Sequence, residues 1–394
     1  MKLLFDVCIV GGGMVGSACA LGLAQLGLSV ALIERYKPAA YSPEQAPDLR
    51  VSAISYNSEH YFQELGVWSD IEQMRLCPYR RLSVWENPKA RTDFNCVDIG
   101  VSHLGHIVEN RIIQLALHNA CSKLPNIHCF WQQDIQSLEL QPWVKVVLTN
   151  QQIIEAKIII GADGLNSQVR LSANIGVQGW QYTQHAMGIN IKIAAEQQDI
   201  TWQQFTAQGP LAFLPLYGQH AALVWYNHPN KINQLKSLSN AQLKQQIIAH
   251  FPPDLMDFEI IDFASFPLTR MHANQYVKNN VVLIGDAAHS INPLAGQGVN
   301  LGFKDVEALV EVFAKQFEKI KNTQQTAGQS GAWLQEYEKR RRADNLLMMS
   351  VMDSLYMAFG NDLAPIKLLR NIGLTLADRA GPLKTKAMKY AMGF

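Results

Sequence analysis

Hydrophobic and polar positions near the amino terminus follow a strand, helix, strand order. Residues 5–10 form an unbroken apolar run, as in a buried parallel strand, and residues 14–26 continue as a helix of small and apolar side chains. Residues 29–33 are a second apolar run, which ends at Glu34. The pattern predicts a βαβ unit at the start of the chain.

Later segments repeat the apolar pattern of a buried sheet. Residues 143–149 and 153–160 predict a hairpin whose second strand ends at Gly161, and residues 281–284 predict a strand that ends at Gly285. Helices are predicted at 111–124, at 299–320 and from 335 onward. The alternation of strands and helices predicts an α/β fold.

The stretch at 189–266 has a different character. It contains strand-like runs at 212–216 and 221–226, a polar helix at 240–250 and several prolines. We interpret it as an inserted sheet domain that builds a pocket. The methionine-rich helix from 335 to 360 is expected to pack on the first domain, with methionine filling irregular gaps.

Residues 7–33 carry no charged side chain, which is long enough to imitate a membrane span. Three consecutive glycines at 11–13 interrupt this run, and Asp6 and Glu34 bracket it. We therefore reject a membrane-spanning or secreted interpretation. The expected location is the cytoplasm.

Composition narrows the class of protein. The 394 residues are 48% hydrophobic and 17% charged, with a net charge of +1, which is typical of a globular protein of two or three domains and gives no field to attract nucleic acid. The six cysteines form no Cys-x-x-Cys pair, and no neighbouring histidines complete a zinc-type spacing. We expect reduced cysteines and no metal.

The first motif is Gly11-x-Gly13-x-x-Gly16, between a predicted strand and helix. Gly11 permits the tight turn, Gly13 lets the backbone approach a pyrophosphate, and Gly16 allows close packing of helix and strand. Glu34, at the end of the next strand, can accept hydrogen bonds from ribose hydroxyls. The spacing predicts a dinucleotide site and leaves FAD and NAD as alternatives.

Two further motifs follow predicted strands. Gly161-Ala162-Asp163-Gly164 follows one strand, and Gly285-Asp286 begins the segment after another. Either aspartate alone could cap a turn or a helix. Two such aspartates at strand ends, beside a dinucleotide fingerprint, favour ligand binding.

These three motifs resemble those of the single-component aromatic hydroxylases of the para-hydroxybenzoate hydroxylase type. The resemblance implies FAD as cofactor, in a Rossmann-like FAD-binding domain with an inserted β-sheet substrate domain and a C-terminal helical segment. It assigns Asp286 to a ribityl hydroxyl of FAD, and Asp163 to the pyrophosphate and to use of the nicotinamide cofactor. Arg50 and Arg111 stand where the family places arginines that hold the cofactor, with ordinary surface charge as the alternative.

The resemblance extends to the loop that follows Asp286. In the family a Pro-x-x-Gly-x-Gly loop flanks the isoalloxazine ring, and the next helix points its positive end at the flavin pyrimidine. The residues expected to bind the cofactor are Gly11, Gly13, Gly16, Glu34, Arg35, Arg50, Arg111, Asp163, Asp286, Pro293, Gly296, Gln297, Gly298 and Asn300.

Over essentially its full length the chain is similar to the bacterial ubiquinone-biosynthesis hydroxylases, and within them to the branch that hydroxylates demethoxyubiquinol. The three flavin motifs are shared throughout that family. The strings that favour this branch are 78–82, 201–206, 212–216, 291–293, 380–381 and 389–391.

The activity implied is hydroxylation of a prenylated benzoquinol by O2. NAD(P)H reduces FAD, and a flavin C4a-hydroperoxide transfers oxygen to the ring. Three alternatives stay open: a sister hydroxylase acting at another ring position, a prenyl reductase that inserts no oxygen, and a component that binds FAD as structure within an assembly.

Substrate contacts are the least constrained part of the prediction. Phe213, Leu214, Pro215 and Trp225 are expected either to line a prenylated-ring pocket or to be plain core. His289 is the one residue put forward for proton handling, with a buried structural histidine as an equal alternative.

The chain is expected to divide into three FAD-binding parts, two substrate-domain parts and a helical end. In chain order these are 1–75, 76–100 (substrate), 101–185, 186–270 (substrate), 271–345 and 346–394 (helical). Residues 339–394 hold ten lysines and arginines against four aspartates. From Arg379 onward this basic tail predicts docking at the inner face of the membrane or into a biosynthetic complex, and a homo-oligomer stays open.

Overall fold

The chain was analysed as a computed structural model. The structure describes residues 2–141, 143–253, 255, 257–293, 296–322, 331–360, 370, 371, 373, 381 and 384–386.

Nineteen strands are assigned within these residues. Those in the first part of the chain are β1 (Lys2–Val10), β2 (Val30–Glu34), β3 (Val51–Ser55), β4 (Cys77–Tyr79), β5 (Arg81–Trp85), β6 (Arg91–Asn95), β7 (Gly105–Glu109), β8 (Ile127–Trp131), β9 (Ile135–Glu139) and β10 (Val144–Leu148). The others are β11 (Ile153–Gly161), β12 (Val177–Ile193), β13 (Ile200–Gln204), β14 (Leu211–Pro215), β15 (His220–Asn227), β16 (Phe258–Ala273), β17 (Val277–Lys278), β18 (Val281–Leu283) and β19 (His289–Ser290).

Nine α-helices are assigned in the same described ranges. They are α1 (Met14–Gln25), α2 (Tyr56–Glu64), α3 (Trp68–Met74), α4 (Asn110–Lys123), α5 (Gln168–Ser172), α6 (Pro229–Lys236), α7 (Asn240–His250), α8 (Gly298–Asn322) and α9 (Gly331–Phe359).

The first sheet has the order β17-β18-β11-β1-β2-β8, and β9 and β10 extend it beside β11. Strands β18, β11, β1, β2 and β8 run parallel. Helix α1 packs on β1 and β2 and against α4 and α8. The strands beneath it are buried, and their sequences are therefore continuous hydrophobic runs. Val7, Cys8 and Ile9 of β1 are accordingly fully buried.

The second sheet has the order β19-β16-β12-β15-β14-β13-β5-β6, and a small third sheet has the order β3-β7-β4. One face of the second sheet is closed by α6 and α7, whose Ile232 and Leu243 share a core with Ile189 and Leu223. The α/β fold with an inserted sheet is therefore confirmed. The inserted sheet recruits β5 and β6 from much earlier in the chain.

The predicted domain division stays a prediction, but two of its borders need correction. Strand β12 spans residues 177–193 and β16 spans 258–273, so borders at 185/186 and 270/271 would cut through both. These two strands pair along most of their length. The connection between the sheets is thus continuous β-structure rather than a linker.

The helical end agrees in part with expectation. Met348, Met349 and Met352 of α9 are buried against Leu301 of α8 and Phe205, which confirms the packing predicted for this helix. The tail from Arg379 lies outside the described residues except for isolated positions. Among the helices described, none is long and apolar enough to cross a bilayer, and all six cysteines are free thiols.

Candidate functional site

Four parallel strands end side by side at one edge of the first sheet. The register pairs Val10 of β1 with Ile33 of β2 and with Gly161 of β11. Gly161 is paired in turn with Leu283 of β18. Ligands of open α/β sheets bind beyond the carboxyl ends of the strands, and this edge brings the three sequence motifs together.

Of the three glycines in the motif after β1, two are fixed by packing and one faces open space. Gly11 has a φ of +99°, and a Cβ there would lie 2.3 Å from the carbonyl oxygen of Ala162. A Cβ on Gly16 would lie 1.9 Å from the Gly11 carbonyl oxygen. A Cβ on Gly13 would meet no atom within 4 Å, so the space in front of Gly13 can receive a ligand.

The amino terminus of α1 opens onto this space. Its N-cap is Gly13, and no side chain caps it or adds an acidic group in the first turn. The Gly12 carbonyl accepts hydrogen bonds from three side chains, namely Ser17 Oγ at 3.0 Å, Gln114 Nε2 at 3.0 Å and His118 Nε2 at 2.6 Å. Burial lowers the pKa of His118, so a neutral ring donates this bond. The loop is held in place, and its free N–H groups and the helix dipole suit a phosphate.

Glu34 lies directly beside the glycine loop. A Cβ on Gly12 would lie 2.8 Å from Glu34 Cβ, and Glu34 Oε1 accepts the Tyr36 N–H at 2.7 Å. The carboxylate keeps acceptor capacity for ribose hydroxyls. The neighbouring Arg35 makes an exposed ion pair with Asp134, with 2.9 Å between Nε and Oδ2.

Asp163 has the structural role weighed from the sequence and keeps one oxygen available for a ligand. Its Oδ2 accepts the backbone N–H groups of Gln168 and Val169, at 2.7 and 3.2 Å, in the first turn of α5, whose N-cap is Ser167. Its Oδ1 is buried and has no hydrogen-bond partner in the described part of the chain. Desolvation by burial raises the pKa of this carboxyl. A buried oxygen without a partner is costly unless a ligand satisfies it.

Asp286 lies in the short 3₁₀ turn Gly285–Ala287 that follows β18. Solvent reaches its side chain, yet surrounding protein desolvates the carboxyl and raises its pKa, while His289 and Arg50 act in the opposite direction. A carboxylate that is accessible but enclosed lies in a cleft rather than on a convex surface. Arg50 is close enough to influence that cleft, whereas Arg111 makes a bidentate pair with Asp48 at 2.7 and 2.8 Å.

A buried polar network lies behind Asp286. Asp305 on α8 is fully buried, and its Oδ2 accepts the Gly285 N–H at 3.1 Å and His289 Nε2 at 2.5 Å. Its Oδ1 accepts Arg341 Nε at 2.9 Å and Asn345 Nδ2 at 3.0 Å from α9. Burial alone would raise the pKa of Asp305, but these partners lower it overall.

The network changes the interpretation of His289. The ring is 1% exposed and paired with Asp305, so it supports the Gly285–Ala287 turn and does not line the cleft as a proton-handling residue. Asp305 was not among the residues predicted from the sequence. The feature of the sequence that could have indicated it is a carboxylate on the apolar face of α8, between Phe303 and Val306.

The loop before α8 was predicted to flank the flavin. The Gly296 N–H donates to the Pro293 carbonyl at 3.0 Å, and Gly296 has a φ of +61°. Helix α8 begins at Gly298, directly after Gln297, so its positive end opens onto this loop.

Asn300 has a structural role beyond the one predicted. Its Oδ1 accepts Ser55 N–H at 3.0 Å and Ser58 Oγ at 2.9 Å. Its Nδ2 donates to the carbonyls of Ala53 and Gly296 at 2.8 and 3.2 Å. An amide has no further donor and little further acceptor capacity, so the Asn300 side chain is already occupied within the protein, and a direct contact with the cofactor stays a prediction. It fastens the loop to β3 and α2.

Strand alternation places the four predicted pocket residues on two faces of the second sheet. Phe213 and Trp225 are 1% and 2% exposed and pack in the core beneath α6 and α7. Pro215 alternates onto the same side as Phe213. Leu214 points to the opposite face, where it joins the cluster of Ala222. Of the two alternatives left open for Phe213 and Trp225, the structure therefore favours domain core.

The arrangement fits a dinucleotide with a flavin end. The open space at Gly13 and the uncapped α1 can receive a pyrophosphate. Asp163 Oδ1 offers a buried acceptor without a partner, and Asp286 offers an accessible carboxylate in the cleft. These features lie at neighbouring strand ends, as a continuous ligand would require.

Comparisons with known proteins agree with this geometry. Residues 5–345 match the FAD binding domain family. The chain is 45% identical to the 3-demethoxyubiquinol 3-hydroxylase of Escherichia coli strain K12, covering 98% of both chains. It is 32% identical to the ubiquinone hydroxylase UbiL of Rhodospirillum rubrum, covering 98% of this chain and 89% of the relative.

A solved structure supports the fold. The p-nitrophenol 4-monooxygenase PnpA of Pseudomonas putida DLL-E4 superposes with a TM-score of 0.76 at 18% identity, covering 100% of this chain and 97% of that one. At this identity the likeness concerns the fold alone.

Proposed function

The chain belongs to the FAD binding domain family and is an FAD-dependent monooxygenase, and on that premise we propose that it hydroxylates a prenylated benzoquinol of the 3-demethoxyubiquinol type. The observation that carries the substrate class is 45% identity along 98% of both chains to a hydroxylase of that name. NAD(P)H is the electron donor of this enzyme class, and O2 is the co-substrate.

FAD, when bound, supplies the electron transfer and the oxygen chemistry. The chain's own residues bind and orient it. We assign the pyrophosphate to the N–H groups of α1 around Gly13, the ribose to Glu34, and a ribityl hydroxyl to Asp286. Asp163 is assigned to the pyrophosphate region through its unpartnered Oδ1. Arg50 is assigned to the entrance of the cleft, where its charge partly offsets that of Asp286.

A substrate cleft is proposed over the face of the second sheet that carries Leu214. Gly188, Ala212 and Val224 lie in one row across β12, β14 and β15, because Val224 pairs with both of the other two. Gly188, Val224 and Leu214 are only partly buried although their strands are central in the sheet. Small, half-covered residues in a central row leave space for a flat ring.

The alternatives from the sequence differ in what they do with oxygen. A sister hydroxylase would give a product hydroxylated at another ring position. A prenyl reductase would oxidise NAD(P)H without inserting oxygen, and a structural component would bind FAD without being reduced by NAD(P)H. The identity to the two hydroxylases favours oxygen insertion.

Access to a membrane-held quinol is proposed to depend on the basic tail. Lys384 and Lys386 are partly or fully exposed, and the tail from Arg379 is rich in basic residues. Such a segment suits the anionic inner face of a membrane or an acidic partner in a biosynthetic complex.

The proposed substrate is tested in a host strain that lacks its own 3-demethoxyubiquinol hydroxylase. Such a strain should accumulate a prenylated quinone that has one oxygen atom fewer than the product of the proposed hydroxylation. Mass spectrometry detects this precursor. Expression of this chain should remove that precursor, and expression of the Gly16→Val variant should not. Persistence of the precursor with a folded, FAD-loaded protein would reject the proposed substrate.

A further inference from the structure

Three metal-ligating side chains meet between α2 and β7, in a place that the proposed chemistry does not use. Glu59 lies on α2, His106 lies on β7, and His103 lies in the loop before β7. His103 Nε2 is 2.6 Å and His106 Nδ1 is 3.1 Å from Glu59 Oε2. The three ligand atoms all lie within 4.8 Å of one another.

We propose that Glu59, His103 and His106 bind one Zn²⁺ ion. Two imidazole nitrogens and one carboxylate oxygen form a donor set that holds zinc and leaves a fourth position for water. The proposal departs from the expectation of no metal, which rested on spacing along the chain. His103 and His106 are close in sequence, but Glu59 lies 44 residues before His103, so no local pattern reveals the set.

Burial gives the second argument. Glu59 is 7% and His106 is 6% exposed, and His106 Nδ1 lies 3.1 Å from Glu59 Oε2 without the alignment of a hydrogen bond. A buried ring nitrogen whose near partner is poorly aligned is incompletely satisfied, which is costly. An ion between the two side chains would satisfy it. The side chain of His103 is 14% exposed, which gives the ion a way in.

Outer contacts orient these ligands as in established zinc sites. His103 Nδ1 lies 2.8 Å from Ser102 Oγ, and Glu59 Oε1 accepts Gln63 Nε2 at 3.2 Å. The ring of His106 meets the Trp68 ring edge-on at 5.0 Å between centroids. Each ligand is therefore held by a neighbour that does not itself bind the ion.

The position of the cluster indicates a supporting role. Helix α2 begins just after Ser55, and Ser55 and Ser58 hold Asn300, which lies in the first turn of α8 and donates to the Gly296 carbonyl of the loop before it. Glu59 is the next residue on α2. An ion that ties Glu59 to β7 would fix the helix that supports this loop, and binding to the native state alone would stabilise the fold.

The test uses full-length, FAD-loaded protein without a polyhistidine tag, stripped with a chelator and titrated with Zn²⁺ against a chromophoric zinc indicator. We expect one ion per chain and a higher thermal midpoint with Zn²⁺. His106→Ala should weaken binding by well over tenfold, since loss of even an outer partner costs about 10- to 100-fold. Glu59→Gln should also weaken Zn²⁺ binding. It provides the test if His106→Ala does not fold.

His60→Ala is the matched control, because His60 is adjacent to Glu59 on α2 and its side chain is 65% exposed. It should leave the affinity for Zn²⁺ unchanged. The proposal is overturned if the unaltered protein binds no Zn²⁺, or if the folded ligand variants bind it with unaltered stoichiometry and affinity. The readout is metal binding, so the result does not depend on the proposed hydroxylation.

Discussion

Gly13 and Gly16 of the glycine motif after β1 should respond differently to an added methyl group. Gly13 has an ordinary φ of −67° and open space around its missing Cβ. We expect Gly13→Ala to keep the stability of the FAD-free protein and to weaken FAD binding, because the methyl group occupies the pyrophosphate space. Gly16→Ala would clash with the Gly11 carbonyl and should lower stability as well.

Thermal denaturation without FAD and titration with FAD separate the two effects. If Gly13→Ala binds FAD as tightly as the unaltered protein, the space in front of α1 does not hold the pyrophosphate.

Asp286 should strengthen FAD binding and lower the stability of the FAD-free protein. Desolvation raises the pKa of its carboxyl, so its contribution to stability is present below its ordinary pKa of about 3.9 and is lost as pH rises through the higher folded pKa. The Asp286→Asn variant has no carboxyl group at this position, so it does not lose this stability as pH rises. Near neutral pH the FAD-free variant should be at least as stable as the unaltered protein, and the difference should shrink toward about pH 4.

Because Asp286→Asn replaces a charged acceptor with a neutral one, we also expect FAD affinity to fall on the order of tenfold. Denaturation midpoints across this pH range and FAD titration measure both effects. The account fails here if the unaltered protein gains stability over the variant as pH rises.

Single residues show where the sequence was informative. The glycines and Asp286 could be predicted because each stands at a fixed distance from a strand end. The role of Asn300 could not, since its partners Ser58 and Ser55 lie 242 and 245 residues away. The sequence left two alternatives open for Trp225 for another reason: an aromatic residue on a strand suits either face of a sheet.

At the scale of elements, Asp305 joins α8, α9 and the Gly285–Ala287 turn. Asp305→Asn would remove the buried charge partner of Arg341 and leave it only the partly exposed Asp344, and breaking a buried pair costs up to about 3–5 kcal/mol. We expect a matching fall in the free energy of unfolding, measured by denaturant titration. Because the native partners lower the pKa of Asp305, its stabilising contribution is present above its ordinary pKa and is lost as pH falls.

The control is Glu336→Gln on α9, where Glu336 pairs with Lys315 at the surface. Glu336→Gln should change the free energy of unfolding little. Equal losses from the two variants would show that the buried network does not hold the elements together.

Most elements of the first sheet could be predicted because apolar runs of strand length alternate with helical periodicity. The continuity of β12 and β16 could not. Both strands are long, and their pairing shifts register near Gln181 and Asn190. A local apolar pattern does not predict where a strand bends from one sheet toward another.

At the scale of the whole molecule, removal of residues 379–394 should separate chemistry from access to substrate. If the tail docks the enzyme, the truncated protein should bind FAD and oxidise NAD(P)H at unaltered rates, while conversion of long-chain quinol in cells falls. The measurements are flavin content, NAD(P)H oxidation and quinone analysis of cells. Loss of flavin or failure to fold would show that the tail is part of the core.

The full-length family resemblance was the strongest guide to function, because the three flavin motifs are shared by all the ubiquinone hydroxylases and only short strings favour one branch. The glycine motif predicts a dinucleotide site from physical requirements, and the resemblance of all three motifs to those of the family predicts FAD. The substrate depends on the cleft over the second sheet, whose surface is set by which side chains of β12, β14 and β15 face it.

The central claim is that the chain inserts one oxygen atom from O2 into a demethoxy-type prenyl quinol. The most direct measurement is a turnover of the FAD-loaded protein with NAD(P)H and that quinol under ¹⁸O-labelled oxygen gas, with mass spectrometry of the product. The account predicts a product that carries one heavy oxygen atom. A product labelled only from ¹⁸O-water, or NAD(P)H oxidation with an unaltered quinol, would contradict it.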